Sequence, residues 1–169
     1  HEELKNSFDL CLSCKACASE CPSNVDVAAL KAEFLYNYQE ANGYSLRSKL
    51  FAYNTQLNAL GSKVSGITNW MYESKTVGGM LKKAVGVAPE RNLPKVGRFN
   101  FKNHLKKYRV KRTDLSKKQV VLYLDEFVKY LDIQVGKDAI ELLCKLGYDV
   151  ELFYGESGRT YLSKGFLKQ

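Results

Sequence analysis

Cysteines are concentrated near the beginning of this sequence, and their spacing limits what the chain can form. Four of the five cysteines fall within eleven residues, at Cys11, Cys14, Cys17 and Cys21, and Pro22 follows the last of them. The spacing C-x2-C-x2-C-x3-C-P is that of a run that binds a [4Fe–4S] cluster. Two intervening residues let the backbone curl around a cubane, so that successive thiolates reach different irons. The proline prevents the loop from continuing as a helix.

A structural zinc site is the main alternative for these thiols. Zinc usually binds two Cys or His pairs that are separated by a longer spacer. The sequence has no second pair, so the spacing favours iron–sulfur. Zinc on the same four cysteines of the isolated chain, or reduced and empty thiols in a scaffold, stay open as alternatives.

The run raises a question about its fourth ligand. In two-cluster ferredoxins, the first three cysteines of such a run bind one cluster and the fourth binds the other. On that rule the first three cysteines need another thiolate, and Cys21 needs three. The remaining cysteine, Cys144, lies far along the chain in a segment with helical periodicity. We therefore expect a partner run upstream of His1, outside this sequence.

The positive charge of the chain is confined to its middle. Residues 61–118 hold fifteen Lys and Arg against three Asp and Glu, whereas the segments on either side each have a net charge of −2. Three explanations are open for the basic segment 98–118: a solvated linker whose aromatic residues pack against a neighbouring domain, an electrostatic dock for an acidic partner or anionic membrane, or a surface for single-stranded nucleic acid. No RNP-like signature is present, and we favour the linker without nucleic acid.

Composition sets the broad class of the protein. Hydrophobic residues make up 45% of the chain and aromatic residues 12%, which is enough for a folded core. No apolar run approaches the roughly 20 residues of a membrane span. Cysteines grouped for a metal site are typical of a reducing compartment. We expect a cytoplasmic protein, with membrane association through partners left open.

Hydrophobic periodicity predicts helices in the first half of the chain. One helix should run from a cap at Ser23 or Asn24 to about Glu40, with a stop at Asn42 and Gly43. A second should run over 45–60 and end at Gly61. A further helical stretch over 62–87 is predicted to break at Gly78 and Gly79. Trp70 is predicted to be a packing anchor. Both histidines, His1 and His104, are predicted to face solvent.

The last third of the chain changes to a mixed pattern. Residues 119–124 form a short branched apolar run, 136–146 have helical periodicity, and 148–153 alternate. Strand, helix and strand in this order predict a β-α-β unit with parallel strands. The predicted fold class is α+β, mainly α. We expect three segments: 1–60 with the cysteine run, a basic helical or linker segment 61–118, and a partial α/β unit 119–169.

Two parts of the sequence together resemble a known family. Residues 11–27, CLSCKACASECPSNVDV, and 30–34, LKAEF, resemble the second cluster run in the iron–sulfur part of FAD-linked oxidases. These are D-lactate, glycolate and 2-hydroxyglutarate dehydrogenase-like flavoproteins, and the iron–sulfur subunit of anaerobic glycerol-3-phosphate dehydrogenase is similar. Residues 121–135 and 158–166 resemble the opening of the cysteine-rich domain in the same proteins.

The resemblance implies both an architecture and a role. The architecture would be half of an α-helical ferredoxin followed by a truncated β-α-β piece of a cysteine-rich domain. The cofactor ligands would be Cys11, Cys14, Cys17 and Cys21, and FAD would lie on a missing domain or a partner. Electrons would pass from the flavin through the cluster to a quinone or redox protein. A zinc-stabilised basic nucleic-acid-binding or scaffold module is the alternative.

One departure from the family pattern bears on catalysis. The family often has Cys-Cys directly before Gly-Arg, and this chain has Glu156-Ser157 before Gly158-Arg159. No G-x-G-x-x-G, nucleophile–base pair or acid pair stands out elsewhere. The sequence therefore predicts part of an oxidoreductase with no complete active site of its own. Peripheral contact with a membrane is left open.

Overall fold

The computed structural model describes residues 2–108 and 118–169. These residues are mainly helical, with one small parallel sheet, so the α+β, mainly α prediction is confirmed. The helices and strands in chain order are α1 (Glu2–Asp9), α2 (Ala16–Glu20), α3 (Val27–Asn42), α4 (Leu46–Ala52), α5 (Asn54–Lys63), α6 (Ser65–Glu73), α7 (Val77–Val85), α8 (Phe101–Tyr108), β1 (Gln119–Leu124), α9 (Glu126–Tyr130), α10 (Ile133–Lys145), β2 (Asp149–Tyr154) and α11 (Arg159–Ser163). In the described ranges no helix is both long and apolar enough to cross a bilayer.

The chain forms two compact units. The first unit contains residues 1–54 together with 158–169, and the second contains residues 55–157. The cysteine run lies in the first unit, and both strands lie in the second. The division into 1–60, 61–118 and 119–169 stays a prediction.

Helix α3 is the longest element of the first unit. Its N-cap is Asp26, whose side chain accepts a hydrogen bond from the backbone N–H of Ala29 at 3.0 Å. The expected cap at Ser23 or Asn24 is wrong, because Asn24 has a left-handed backbone with φ of 58° and the extended residue that a cap requires is Asp26. The predicted end is confirmed, with Asn42 the last helical residue and Gly43 at a φ of 85°.

Residues after α11 pack against α3 within the first unit. The side-chain amide of Gln39 donates a hydrogen bond to the carbonyl oxygen of Lys164 at 2.6 Å. Phe166 is buried, with its ring centroid 4.7 Å from that of Tyr44 and 5.6 Å from that of Tyr53. These contacts join the residues after α11 to α3, through Gln39, and to Tyr44 and Tyr53, which lie after α3.

The single helix predicted over 45–60 is two helices in the structure. Helix α4 ends at Ala52, and α5 begins at Asn54 after a non-helical Tyr53. Gly61 does not end a helix, since it lies inside α5. A hydrophobic pattern continues across such a break because it reflects which side chains are buried. It does not show whether the helix is continuous.

Gly78 and Gly79 also lie inside a helix, contrary to the predicted break. Helix α7 spans Val77–Val85, and the interruption comes before it, after α6 ends at Glu73. A Cβ atom at Gly78 would lie only 2.8 Å from the carbonyl oxygen of Tyr72. The glycine therefore permits close approach of the backbone at the turn between α6 and α7. Trp70, on α6, is 63% exposed and is not the packing anchor that the sequence suggested.

The second unit contains the predicted β-α-β arrangement. Strands β1 and β2 are parallel, with Gln119 paired with Asp149 at one end and Leu124 with Tyr154 at the other. Helix α10 connects them and begins three residues before the predicted start at Gly136. The buried core of the unit consists of Phe101, Leu105, Leu124, Ile140 and Val150.

Part of the basic segment 98–118 belongs to this core. Residues 101–108 form α8, and Phe101 is buried in the cluster beside the sheet. The expectation of a solvated linker is therefore wrong for these residues, although the expected burial of an aromatic side chain is correct. The ring atom Nε2 of His104 is also buried, so the prediction that His104 faces solvent is wrong. Residues 109–117 of the basic segment, and His1, lie outside the described residues.

Candidate metal centre

The four cysteines of the run surround the short helix α2 in the first unit. Cys11 and Cys14 lie before it, Cys17 lies inside it, and Cys21 follows its last residue. Between the first three cysteines the backbone twice adopts the left-handed region, at Ser13 with φ of 56° and Lys15 with φ of 62°. This region is unfavourable for residues with a Cβ atom. The run therefore forms a tight loop. Contacts with the rest of the fold must offset the cost of its left-handed residues.

The end of the run is a turn at the proline. The N–H of Cys21 donates to the carbonyl of Cys17 at 3.0 Å, and the carbonyl of Cys21 accepts from Asn24 at 2.9 Å. Cys21 itself is extended, as expected for a residue before proline. The prediction that Pro22 prevents the run from continuing as a helix is confirmed, since α2 ends at Glu20 and Cys21 is extended.

Backbone N–H groups are directed at the sulfurs of the run. The N–H of Ser13 donates to Cys11 Sγ at 3.4 Å, and the N–H of Val27 donates to Cys17 Sγ at 3.3 Å. Such bonds adjust the reduction potential of an iron–sulfur cluster that the thiolates hold.

Cys21 is in a similar environment. Backbone hydrogen bonds from Val25 and then Ser23 lower the pKa of its thiol, burial opposes them, and Asn24 adds a smaller lowering. A thiol with a lowered pKa is more easily deprotonated, and the thiolate is the form that binds metal. The turn after Pro22 thus favours the thiolate form of Cys21.

The donor set fits a soft metal centre, although the sulfurs are not gathered together. All four cysteines are free thiols. Over residues 2–108 and 118–169, no three His, Cys, Asp or Glu side chains lie close enough together to form a metal-binding group. The sulfurs accept hydrogen bonds from backbone N–H groups, and the loop ends at a proline. Thiols in such a loop are chemically suited to a [4Fe–4S] cluster.

Two lysines lie next to the run in different environments. The Lys15 ammonium is 3.2 Å from a carboxylate oxygen of Asp26, and its side chain is 68% exposed. The hydrogen bond from the N–H of Ala29, followed by that from Lys15, lowers the pKa of Asp26. Lys31 is buried, and its Nζ donates to the carbonyl oxygen of Cys11 at 2.6 Å. Lys31 is not among the site residues predicted from the sequence, in which it is a charged residue on the apolar face of a predicted helix.

The position at which the family often has Cys-Cys has a structural role here. Glu126, at the start of α9, is 3% exposed. Its carboxylate accepts hydrogen bonds from the backbone N–H of Ser157 at 2.9 Å and from the hydroxyl of Ser157 at 2.5 Å. Ser157 therefore anchors the segment after β2 to the start of α9.

Comparison with known proteins identifies similar sequences. No family model and no solved structure matches the chain. The chain is 27% identical over 175 residues to the D-2-hydroxyglutarate dehydrogenase of Escherichia coli (strain K12), an alignment that covers 99% of this chain and 17% of that protein. The protein of the same name from Haemophilus influenzae is 27% identical over 179 residues, with 99% and 17% covered. That from Pseudomonas putida is 29% identical over 176 residues, with 98% and 17% covered.

These similarities extend along almost the whole chain. They agree with the resemblance to 2-hydroxyglutarate dehydrogenase-like proteins that the cysteine run and residues 121–135 and 158–166 indicate. The chain spans only 17% of the length of the curated relatives that it matches. The relatives are dehydrogenases by name, so the chain is similar to part of an oxidoreductase.

Proposed function

We propose that this chain is the iron–sulfur electron-transfer portion of a flavin-linked oxidoreductase. The observation that carries the proposal is the C-x2-C-x2-C-x3-C-P run with backbone N–H groups directed at its sulfurs. The similarity to D-2-hydroxyglutarate dehydrogenases supports an oxidoreductase of the 2-hydroxyacid type. A glycerol-phosphate type is the related possibility that the resemblance of the run includes.

The cysteines are the proposed cluster ligands. Cys11, Cys14 and Cys17 would bind one [4Fe–4S] cluster, and Cys21 would complete it or bind a neighbouring one. When bound, such a cluster accepts and releases single electrons. The protein's own contribution is to hold the thiolates in the loop before α3 and to donate backbone hydrogen bonds to their sulfurs.

The remaining parts of the electron pathway are proposed to lie outside this chain. FAD on another domain or on a partner subunit would take a hydride from the 2-hydroxyacid and pass electrons on singly. A quinone or a redox protein would be the downstream acceptor. We propose a cytoplasmic location, with any membrane contact made through partners.

The experiment that tests the proposal follows electrons through the protein. The protein is reconstituted anaerobically with iron and sulfide, reduced with photochemically reduced flavin, and then mixed with a quinone analogue. We expect the visible absorbance of the protein to bleach on reduction and to recover on oxidation. Cys14→Ser should abolish both changes, because it removes a ligand, whereas the matched control Cys144→Ser should retain them.

Two results would contradict the proposed function. One is a wild-type protein that takes up zinc but no sulfide, which would favour a structural zinc site. The other is a coloured protein whose visible absorbance is not bleached by reduced flavin.

A further inference from the structure

Lys31 is a buried cation in contact with the cysteine run. It lies on α3 and is 9% exposed, and buried Ala28, Ala32 and Leu35 belong to the same helix. Its Nζ donates to the carbonyl oxygen of Cys11 at 2.6 Å, across twenty residues of sequence. Lysine is rarely buried to this extent without a charged partner, because removing an ammonium from water is costly. The burial of Lys31 therefore needs a compensating charge.

The described residues supply no such charge. In the ranges 2–108 and 118–169 no carboxylate forms an ion pair with Lys31, and the contact of its ammonium is with a neutral carbonyl. A second cation, Lys164, lies close enough for the two positive charges to affect each other. The pKa of Lys164 is lowered, first by burial and then by the charges of Lys31 and Arg47, with Asp9 acting in the opposite direction. Of these three cations Lys31 is buried, Lys164 is half-buried and Arg47 is exposed, so the buried charge without a carboxylate partner is that of Lys31.

A cluster held by cysteine thiolates would supply the missing negative charge. The carbonyl that Lys31 contacts belongs to Cys11, the first of the proposed ligands, so the ammonium is hydrogen-bonded to the backbone of the residue that carries the ligand sulfur. We propose that Lys31 is a positioning residue of this centre, which fixes the backbone of Cys11 and supplies a buried positive charge that raises the cluster's reduction potential. This inference rests on the proposed function and adds a residue that helps to set the electron affinity of the cluster.

The sign of the effect follows from electrostatics. One-electron reduction makes the cluster more negative, and a nearby positive charge stabilises the reduced form more than the oxidised form. The interaction is effective because Lys31 is shielded from water, in which charges interact much more weakly. Lys15 provides the contrast, since its exposed ammonium is already paired with Asp26 at 3.2 Å. Its charge should therefore affect the centre much less.

The test is a potentiometric titration of the reconstituted 169-residue protein, followed by electron paramagnetic resonance. Lys31→Met removes the charge and the hydrogen bond, Lys31→Gln keeps a donor without the charge, and Lys31→Arg keeps the charge. At a fixed potential we expect the reduced-to-oxidised ratio to fall about tenfold in Lys31→Met and Lys31→Gln, which corresponds to about 59 mV for one electron. Lys31→Arg and the control Lys15→Gln should stay within about twofold of wild type.

Each outcome decides the inference. If Lys31→Met does not fold, as circular dichroism would show, the comparison of Lys31→Gln with Lys31→Arg decides it. Unchanged potentials in both uncharged variants, or an equal fall in Lys31→Arg, would overturn the role of Lys31 and leave the proposed function intact. A wild-type protein that binds no iron and sulfide would overturn the proposed function, and this inference with it.

Discussion

Gly158 and Gly165 have the same backbone conformation and different surroundings. Their φ angles are 68° and 69°, a region that costs a residue with a Cβ atom about 1 kcal/mol. A Cβ atom at Gly158 would have nothing within 4 Å, whereas one at Gly165 would lie 2.6 Å from the backbone nitrogen of Tyr36 on α3. We expect Gly158→Ala to lower the free energy of unfolding by about 1 kcal/mol and Gly165→Ala by about 3 kcal/mol or more.

Urea unfolding of the two alanine variants measures this difference. Equal losses of stability would contradict the close packing of residue 165 against α3. The pair is matched because the substitution and the backbone strain are the same at both positions.

Glu40 should make stability depend on pH. Its carboxylate accepts hydrogen bonds from the Tyr44 hydroxyl at 2.7 Å and from Lys168 Nζ at 3.0 Å. The bond from Tyr44, followed by that from Lys168, lowers the pKa of Glu40. A carboxyl with a lowered folded pKa stabilises the fold above its unfolded pKa of about 4.3, and this stabilisation is lost as pH falls through the folded value.

We therefore expect Glu40→Gln to lower the melting temperature at neutral pH, with the difference from wild type disappearing in acid. Calorimetry across this pH range checks the expectation. Glu33→Gln, an exposed position on the same helix, is the control and should show no such pH-dependent difference. If the melting temperature of Glu40→Gln stays below that of wild type in acid, the ionised carboxylate is not what stabilises the contact.

The stability of the protein should depend on the hydrogen bonds that link the segment after β2 to Glu126, at the start of α9. Glu126 is buried and accepts two hydrogen bonds from Ser157. Removing the carboxylate leaves these donors without their acceptor, at a cost of about 1–3 kcal/mol. We expect Glu126→Ala to reduce the free energy of unfolding by about 2–3 kcal/mol, and exposed Glu156→Ala to change it by less than about 0.5 kcal/mol. Denaturant unfolding that ranks the two variants equally would contradict a structural role for Glu126.

The elements that sequence predicts well are those with a strong hydrophobic pattern. Both strands, their parallel order and most of α10 follow from runs of buried side chains such as those around Leu124, Ile140 and Val150. The predictions that Gly61 ends a helix and that Gly78 and Gly79 break one fail because the local preference against glycine in a helix is only about 1 kcal/mol. Tertiary contacts outweigh that preference when, as at Gly78, a Cβ atom would collide with backbone.

Prediction of the candidate site from the sequence is limited in the same way, because contacts between distant residues leave no local pattern. Regular spacing along the chain identifies the four cysteines and the turn at Pro22. The contact of Lys31 with Cys11 joins residues twenty positions apart, and no local pattern predicts such a pair. The bond between Glu126 and Ser157 spans thirty-one positions and is equally invisible in the sequence.

At the scale of the whole molecule, the two compact units contain different features. The first unit contains the cysteine run, buried Lys31 and the packing of the final residues on α3. The second contains the sheet and most of the basic charge of the chain. We propose that the first unit carries the electrons, and that the second is a scaffold, since its Glu156-Ser157 replaces the cysteines of the family pattern.

The central claim is that the cysteine run binds a cluster of iron and sulfide. The most direct measurement is the iron and acid-labile sulfide content, with a Mössbauer spectrum, after anaerobic reconstitution in the presence of a small thiol that can serve as a fourth ligand. Wild type and Cys144→Ser should each bind about four irons and an equal amount of sulfide, and Cys14→Ser should bind neither in stoichiometric amount. Iron without sulfide, or a Cys14→Ser variant as fully loaded as wild type, would contradict the account.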